Sequence, residues 1–194
     1  MSKINFYNAL KNSYADRNKQ KTAFVKEGFV FDSDLSDNEK QVYFNPKDKK
    51  LLYTVKGTNP FNLRDLGTDA YLAFGHLKDT NRFKEAQSTF NKAKQKYKPK
   101  GSVLAGHSLG STISSYIAGK NDKVYTLDKG ATFGQKTRSN ETAFRTQGDA
   151  VSALNANSKR MTTLKNPYWK TGNALLDAYN AHDVNNIKDS KIFI

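Results

Sequence analysis

Ser108, in the run Gly106-His107-Ser108-Leu109-Gly110, has the surroundings needed for covalent chemistry. A serine hydroxyl is a weak nucleophile at neutral pH. It needs a histidine to take its proton and a carboxylate to orient that histidine. When such a serine stands on a strand–turn–helix elbow, the carboxylate and then the histidine follow it along the chain. The histidines are His76, His107 and His182, and only His182 lies beyond Ser108. His182 is therefore the expected base. The acidic residues between the two are Asp122, Asp128, Glu141, Asp149 and Asp177. Asp149 is the best placed, because it follows the strand-like Ala143–Thr146 and the turn Gln147-Gly148. A carboxylate just past the C-terminal end of a strand stands on the sheet edge that carries the nucleophile. Asp128 also follows a strand-like run and is the rival.

Acyl chemistry at Ser108 also requires donors for the oxyanion. The backbone N–H of Leu109, the residue after the nucleophile, is one. A second comes from the loop after an earlier strand. Lys50–Lys56 reads as such a strand and runs into Gly57-Thr58, which makes Thr58, through its N–H and hydroxyl, the candidate. A neutral histidine base predicts a loss of activity below about pH 6. The mechanism calls for no metal and no cofactor.

These residues need elements to hold them. Ser102–Ala105 is a short apolar run that enters the elbow. Beyond it, Leu109, Ile113, Tyr116 and Ile117 share one helical face. Residues 3 to 17 read as an amphipathic helix with Tyr7, Leu10 and Tyr14 on one side. Residues 18 to 40 read as mostly loop, with a short strand at Gly28–Phe31. Gln41–Phe44 and Lys50–Lys56 form a hairpin through Asn45-Pro46-Lys47-Asp48-Lys49. Helices are expected over 66 to 77 and Asn81 to Tyr97, and a helix-like stretch over Leu175–Tyr179. Strands are expected at Lys123–Leu127, Thr142–Thr146 and Arg160–Leu164. Alternating strands and helices specify an α/β domain with a central, mostly parallel sheet flanked by helices.

The 194 residues suit one domain, with a core over about 40 to 185 and an N-terminal helix and loop over 1 to 39. The chain lacks cysteine, which excludes disulfides, thiolate catalysis and cysteine-bound zinc. No apolar run reaches the length of a membrane span, and the polar N-terminus is unlike a secretory signal. A cytoplasmic or particle-packaged chain is expected on that basis. The net charge of +14 favours an anionic membrane surface as partner. Because the lysines are spread along the chain, nucleic acid is not the expected partner.

Several of these segments together resemble the class 3 (fungal-type) lipase family of the α/β-hydrolase superfamily. The resemblance runs through Leu52-Tyr53-Thr54-Val55-Lys56-Gly57-Thr58, then Asp65 and Asp69, then the elbow. It continues through Thr132-Phe133-Gly134, Phe144-Arg145, Gly148-Asp149-Ala150-Val151 and Ala181-His182. It implies an α/β-hydrolase-like fold, Thr58 as the oxyanion residue, and Ser108, Asp149 and His182 as a catalytic triad. The substrate it implies is a lipid ester. The chain departs from the family pattern in lacking a tryptophan between Asp65 and Asp69, in Ser111 following Gly110, and in Ala150 where a proline is usual. The short Asn59–Arg64 segment, with Phe61 and Leu63 at its tip, is expected to be a trimmed lid. Tyr168 and Trp169 are expected to add a second acyl-binding surface. Other readings of the same residues are a soluble short-chain esterase or thioesterase, and a lipase-like scaffold that binds without catalysis.

Overall fold

A computed structural model describes residues 3–58, 75–130, 137–153, 161–166 and 170–194, with Leu175 described by its backbone alone. Its centre is a seven-stranded sheet in which each strand lies beside the next in the chain. The strands are β1 (Val30–Phe31), β2 (Lys40–Asn45), β3 (Lys50–Val55), β4 (Gly101–His107), β5 (Lys123–Leu127), β6 (Glu141–Thr146) and β7 (Met161–Leu164). β1, β2 and β3 pair antiparallel, and β3 through β7 run parallel. The helices are α1 (Phe6–Ser13), α2 (Arg17–Thr22), α3 (Asn81–Tyr97), α4 (Leu109–Ile117) and α5 (Ala174–Ala181). The result is a mixed, largely parallel sheet flanked by helices, the α/β architecture expected.

Strand parity distributes the core to two faces, because successive side chains leave a strand on opposite sides. On β3, Leu52 packs on one face, while Leu51, Tyr53 and Val55 pack on the other. On β4, Val103 and Ala105 go with Leu52, and Leu104 goes with the opposite set. The first face is covered by α1, through Phe6, Ala9 and Leu10, and by Val184, Ile187 and Ile194 near the C-terminus. The second is covered by α3, through Phe83, Ala86, Phe90 and Ala93, and by Ile113 and Ile117 of α4. Leu109 and Tyr116 pack against that second cluster, as the helical period of the sequence predicts.

The helix expected over 3 to 17 is shorter, ending at Ser13, and a second helix, Arg17–Thr22, follows it. Asn5 caps α1 by accepting the Asn8 N–H at 3.2 Å. Asp16 starts α2 by accepting the Lys19 N–H at 3.0 Å. An aspartate that satisfies a first-turn N–H begins a helix, so part of the segment read as loop is helical. The N-terminal segment is also tied to the C-terminal one. Ile4 N–H donates to Ile194 O at 3.2 Å, Ile194 N–H to Ile4 O at 2.9 Å, and Phe6 N–H to Ile192 O at 2.8 Å.

The parallel register aligns the C-terminal ends of the central strands. Val55 pairs with Gly106, His107 with Leu127, and Leu127 with Phe144. The residues just past those ends are Gly57-Thr58, Ser108, Asp128 and Asp149. Every one of them therefore emerges on the same edge of the sheet.

Candidate active site

Ser108 sits between β4 and α4 with φ 55° and ψ −126°. Non-glycine residues pay about 1–3 kcal/mol for such a backbone and keep it only where the surroundings enforce it. Here the two glycines enforce it. A Cβ on Gly106 would stand 2.4 Å from the Gly110 carbonyl oxygen, and one on Gly110 would stand 2.1 Å from the Val55 carbonyl oxygen. Strand and helix can approach this closely only without side chains. Ser111, where the family pattern carries a second glycine, stitches the elbow to β5. Its hydroxyl lies 2.6 Å from Gly106 O and 2.8 Å from Leu127 O, and accepts the Leu127 N–H at 3.1 Å. Ser108 N–H itself donates to Leu127 O at 3.0 Å. Leu109 opens α4, where an N–H lacks an acceptor four residues back and the helix dipole favours negative charge.

His182 directly follows α5 and is buried. Its Nδ1 lies 2.7 Å from Asp149 Oδ1. Asp149 comes from the turn after β6, where Gly148 takes the left-handed φ of 88°. The carboxylate of Asp149 also accepts the N–H groups of Val151 (3.2 Å) and Ser152 (2.7 Å). The pairing fixes the tautomer. An ionised Asp149 can only accept, so His182 Nδ1 carries a proton and Nε2 carries the ring's basic lone pair. Burial works to lower the His182 pKa. The hydrogen bond to Asp149 and the negative charge of that carboxylate outweigh it, and the result lies above the ordinary histidine value. Burial works in the opposite sense on Asp149, and the bond to His182 overrides it to hold the carboxyl below its usual range.

The other carboxylates sort themselves by partner. Asp128 is fully buried and accepts the N–H and hydroxyl of Thr146. Burial, reinforced by the charge of Asp149, pushes its pKa up to about 8, so it is protonated at neutral pH. Glu141 is held by Lys129 at 2.6 Å, together with Ser115 and Thr126. Asp122 bonds Lys94 and the Gly119 N–H. Asp177 bonds Thr171 at the protein surface. Of the five, Asp149 is the one hydrogen-bonded to His182.

Sequence reasoning assigned no role to His107, Tyr14 or Arg82. His107 shares the face of β4 that carries Val103 and Ala105, so its ring turns toward α1. There its Nδ1 lies 2.8 Å from the Tyr14 hydroxyl, and its ring lies against His182 with centroids 4.7 Å apart and planes tilted by 35°. Burial, and then the neighbouring His182, push its pKa down to about 3, so it is neutral. Two signals in the sequence pointed to this contact: the parity of β4, and the position of Tyr14 on the inner side of α1 with Leu10. Gly57 closes the site from the other side. A Cβ there would lie 2.8 Å from His107 O and 3.0 Å from Ser108 Cβ. His76, by contrast, is exposed beside Asp79.

His107, Asp128 and His182 are the one potential metal-ligating group among the described residues, with ligand atoms within 4.8 Å of one another. His107 Nε2 is 3.9 Å from Asp128 Oδ2. A tetrahedral zinc with bonds of about 2.0–2.1 Å needs its ligands near 3.4 Å apart. The group is too spread for that, and hydrogen bonding already engages Asp128 and His182. Phe61, Leu63, Tyr168 and Trp169 lie outside the described residues, as do Asp65, Asp69, Thr132-Phe133-Gly134 and most of the helix expected over 66 to 77. Among the described residues, no helix is long and apolar enough to cross a membrane.

No family model and no curated protein sequence matches the chain. Solved structures do. The chain is similar to a lipase propeptide complex from Rhizomucor miehei, with a TM-score of 0.50 at 14% identity, over 77% of this chain and 61% of that one. The chain thus spans about three-fifths of that relative's length. It is also similar to the Lip2 lipase from Yarrowia lipolytica, with a TM-score of 0.45 at 15% identity, over 75% of this chain and 70% of that one. At these identities the likeness is one of fold. The fold of this chain is lipase-like.

Proposed function

We propose that this protein is a serine carboxylic-ester hydrolase that acts on lipid esters through an acyl-enzyme. The observation that carries the proposal is the buried 2.7 Å contact between His182 Nδ1 and Asp149 Oδ1, on the sheet edge where Ser108 holds its strained elbow. The lipase-like fold agrees with it. In this reading Ser108 Oγ attacks the ester carbonyl while His182 Nε2 takes its proton. The Thr58 and Leu109 N–H groups stabilise the tetrahedral oxyanion. His182 then gives the proton to the leaving alkoxide, and a water molecule, deprotonated by the same nitrogen, releases the acid. Asp149 stays ionised throughout and stabilises the imidazolium.

Lipid as substrate rests on the resemblance of the motifs. In this reading Phe61 and Leu63 belong to a short lid and Tyr168 and Trp169 to a second acyl-binding surface, all four outside the described residues.

Labelling with a fluorophosphonate tests the reading. Wild-type protein is expected to be labelled, and Ser108→Ala is not. Folded wild type that takes no label refutes the serine-hydrolase reading and favours a binding scaffold. Labelled enzyme that cleaves monomeric short-chain esters, with no rise in rate above the critical micelle concentration, identifies a soluble esterase instead.

A further inference from the structure

We infer that Tyr14 and Arg82 are positioning residues for the oxyanion hole, clamping the Lys56–Gly57 peptide so that the Thr58 N–H turns toward Ser108. The inference rests on the hydrolase reading of Ser108 and deepens it.

A trans peptide points its N–H and its C=O in opposite directions, and cis bonds are absent among the described residues. The peptide between Lys56 and Gly57 is gripped at both ends. Its N–H, from Gly57, donates to the Tyr14 hydroxyl at 3.0 Å. Its carbonyl, from Lys56, accepts from Arg82 Nη2. The same Nη2 reaches the carbonyl of the next peptide, Gly57 O, at 3.4 Å. With that carbonyl drawn to Arg82, the Thr58 N–H of the same peptide is turned the other way. Gly57 itself lies against the nucleophile, since a Cβ on it would stand 3.0 Å from the Ser108 Cβ. The Gly57 N–H is already taken by Tyr14, so Thr58 is the donor that this loop supplies.

The clamp is itself anchored. The Tyr14 hydroxyl has one proton, and it accepts from Gly57. The same oxygen lies 2.8 Å from His107 Nδ1, so one hydroxyl bonds both the loop and the residue before the nucleophile. Burial pushes the Tyr14 pKa up to about 12, so it keeps that proton across the working range of an esterase. Since His107 immediately precedes Ser108, one hydroxyl sets the spacing between the oxyanion loop and the nucleophile. Arg82 stands in the first turn of α3, with its Nε 3.7 Å from Glu39 Oε1. Lys56 N–H donates to Glu39 O at 2.8 Å. Both ends of the clamp thus come from helices on opposite faces of the sheet. A preorganised donor is worth about a hundredfold or more in rate, and a misaimed one forfeits much of it.

The test uses Tyr14→Phe, which keeps the ring but removes the hydroxyl, and Arg82→Lys, which keeps the charge but shortens the reach to the two carbonyls. With p-nitrophenyl butyrate, kcat is expected to fall about tenfold or more in each, with KM within about twofold of wild type. Affinity for butylboronic acid, whose tetrahedral Ser108 adduct carries an oxygen in the hole, should fall by the same factor as kcat/KM. Variants that melt earlier but keep kcat and boronate affinity overturn the clamp and leave only a packing role. Independently of any activity, Tyr14→Phe should speed hydrogen exchange at the Gly57 amide and shift the Thr58 amide resonance. Unchanged amides overturn the inference. Wild type that takes no fluorophosphonate refutes the hydrolase reading itself, and the amide measurements then judge the clamp separately.

Discussion

Two buried aspartates flank the same histidine and do opposite things. Asp149 accepts Val151 and Ser152 N–H groups besides His182, and three donors favour its charged form. Asp128 accepts from Thr146, but full burial and the neighbouring Asp149 outweigh that and push its pKa up to about 8. Sequence reasoning named both as candidates, because both follow strands. It preferred Asp149 and kept Asp128 as the rival, whereas the hydrogen-bond supply that distinguishes them depends on turns that fold onto each carboxylate. A pH–rate series separates them in function. The base must be neutral, and the His182 pKa is raised. Activity should therefore fall on acidification through an apparent pKa above 6.5, higher than the pH 6 expected of an ordinary histidine. In Asp149→Asn that acid limb should move down, because the partner that raised the pKa is gone, and kcat should drop by about 10³–10⁴. Asp128→Asn, which replaces a neutral acid by a neutral amide, should stay within about tenfold of wild type. The reverse order of damage would make Asp128 the orienting carboxylate. The stability linkage has matching signs. The raised His182 contributes stability below about pH 6.5 that is lost as pH climbs through its folded pKa. The lowered Asp149 contributes above about pH 4 and is lost on acidification.

At the scale of elements, the elbow is the most constrained unit. β4 and α4 approach each other, and α4 approaches β3, only because Gly106 and Gly110 have no side chain. Gly110→Ala would drive a methyl into the Val55 carbonyl, a backbone atom that cannot swing aside. It should destabilise the fold by about 3 kcal/mol or more, measurable by chemical denaturation. A change under about 1 kcal/mol would mean that strand and helix can part. Much of this layer was legible from the sequence. The strand Lys123–Leu127 and the helix Asn81–Tyr97 have the expected ends, because turn residues and Pro99 bound them. The split between α1 and α2 was not foreseen. The Tyr7–Leu10–Tyr14 period continues smoothly past Ser13, whereas the cap at Asp16 is a local hydrogen bond that periodicity does not register.

Over the whole molecule, the positive charge of +14 is the property that a partner would meet first. Lysines with exposed side chains occur on α2, on α3 and in the loops between strands. We propose an anionic membrane surface as the partner. Binding to vesicles containing phosphatidylserine should exceed binding to neutral phosphatidylcholine vesicles, and should weaken as salt rises from about 0.05 to 0.5 M. Binding indifferent to both headgroup charge and salt would end that proposal.

What the sequence determined by itself is the candidate residues and their order along the chain: an elbow serine, one later histidine, and a carboxylate beyond a strand. Composition and spacing carry that information because the elbow demands glycines at fixed offsets, and because three histidines leave little choice. Tertiary structure alone decided which aspartate reaches His182, which hydroxyl holds Gly57, and that His107 is neutral and packed against His182. Those outcomes depend on contacts between residues far apart in sequence, such as Tyr14 with Gly57 and His107, or Arg82 with Lys56. Such contacts exist only once α1 and α3 have settled on opposite faces of the sheet, and no local period or motif encodes that distance.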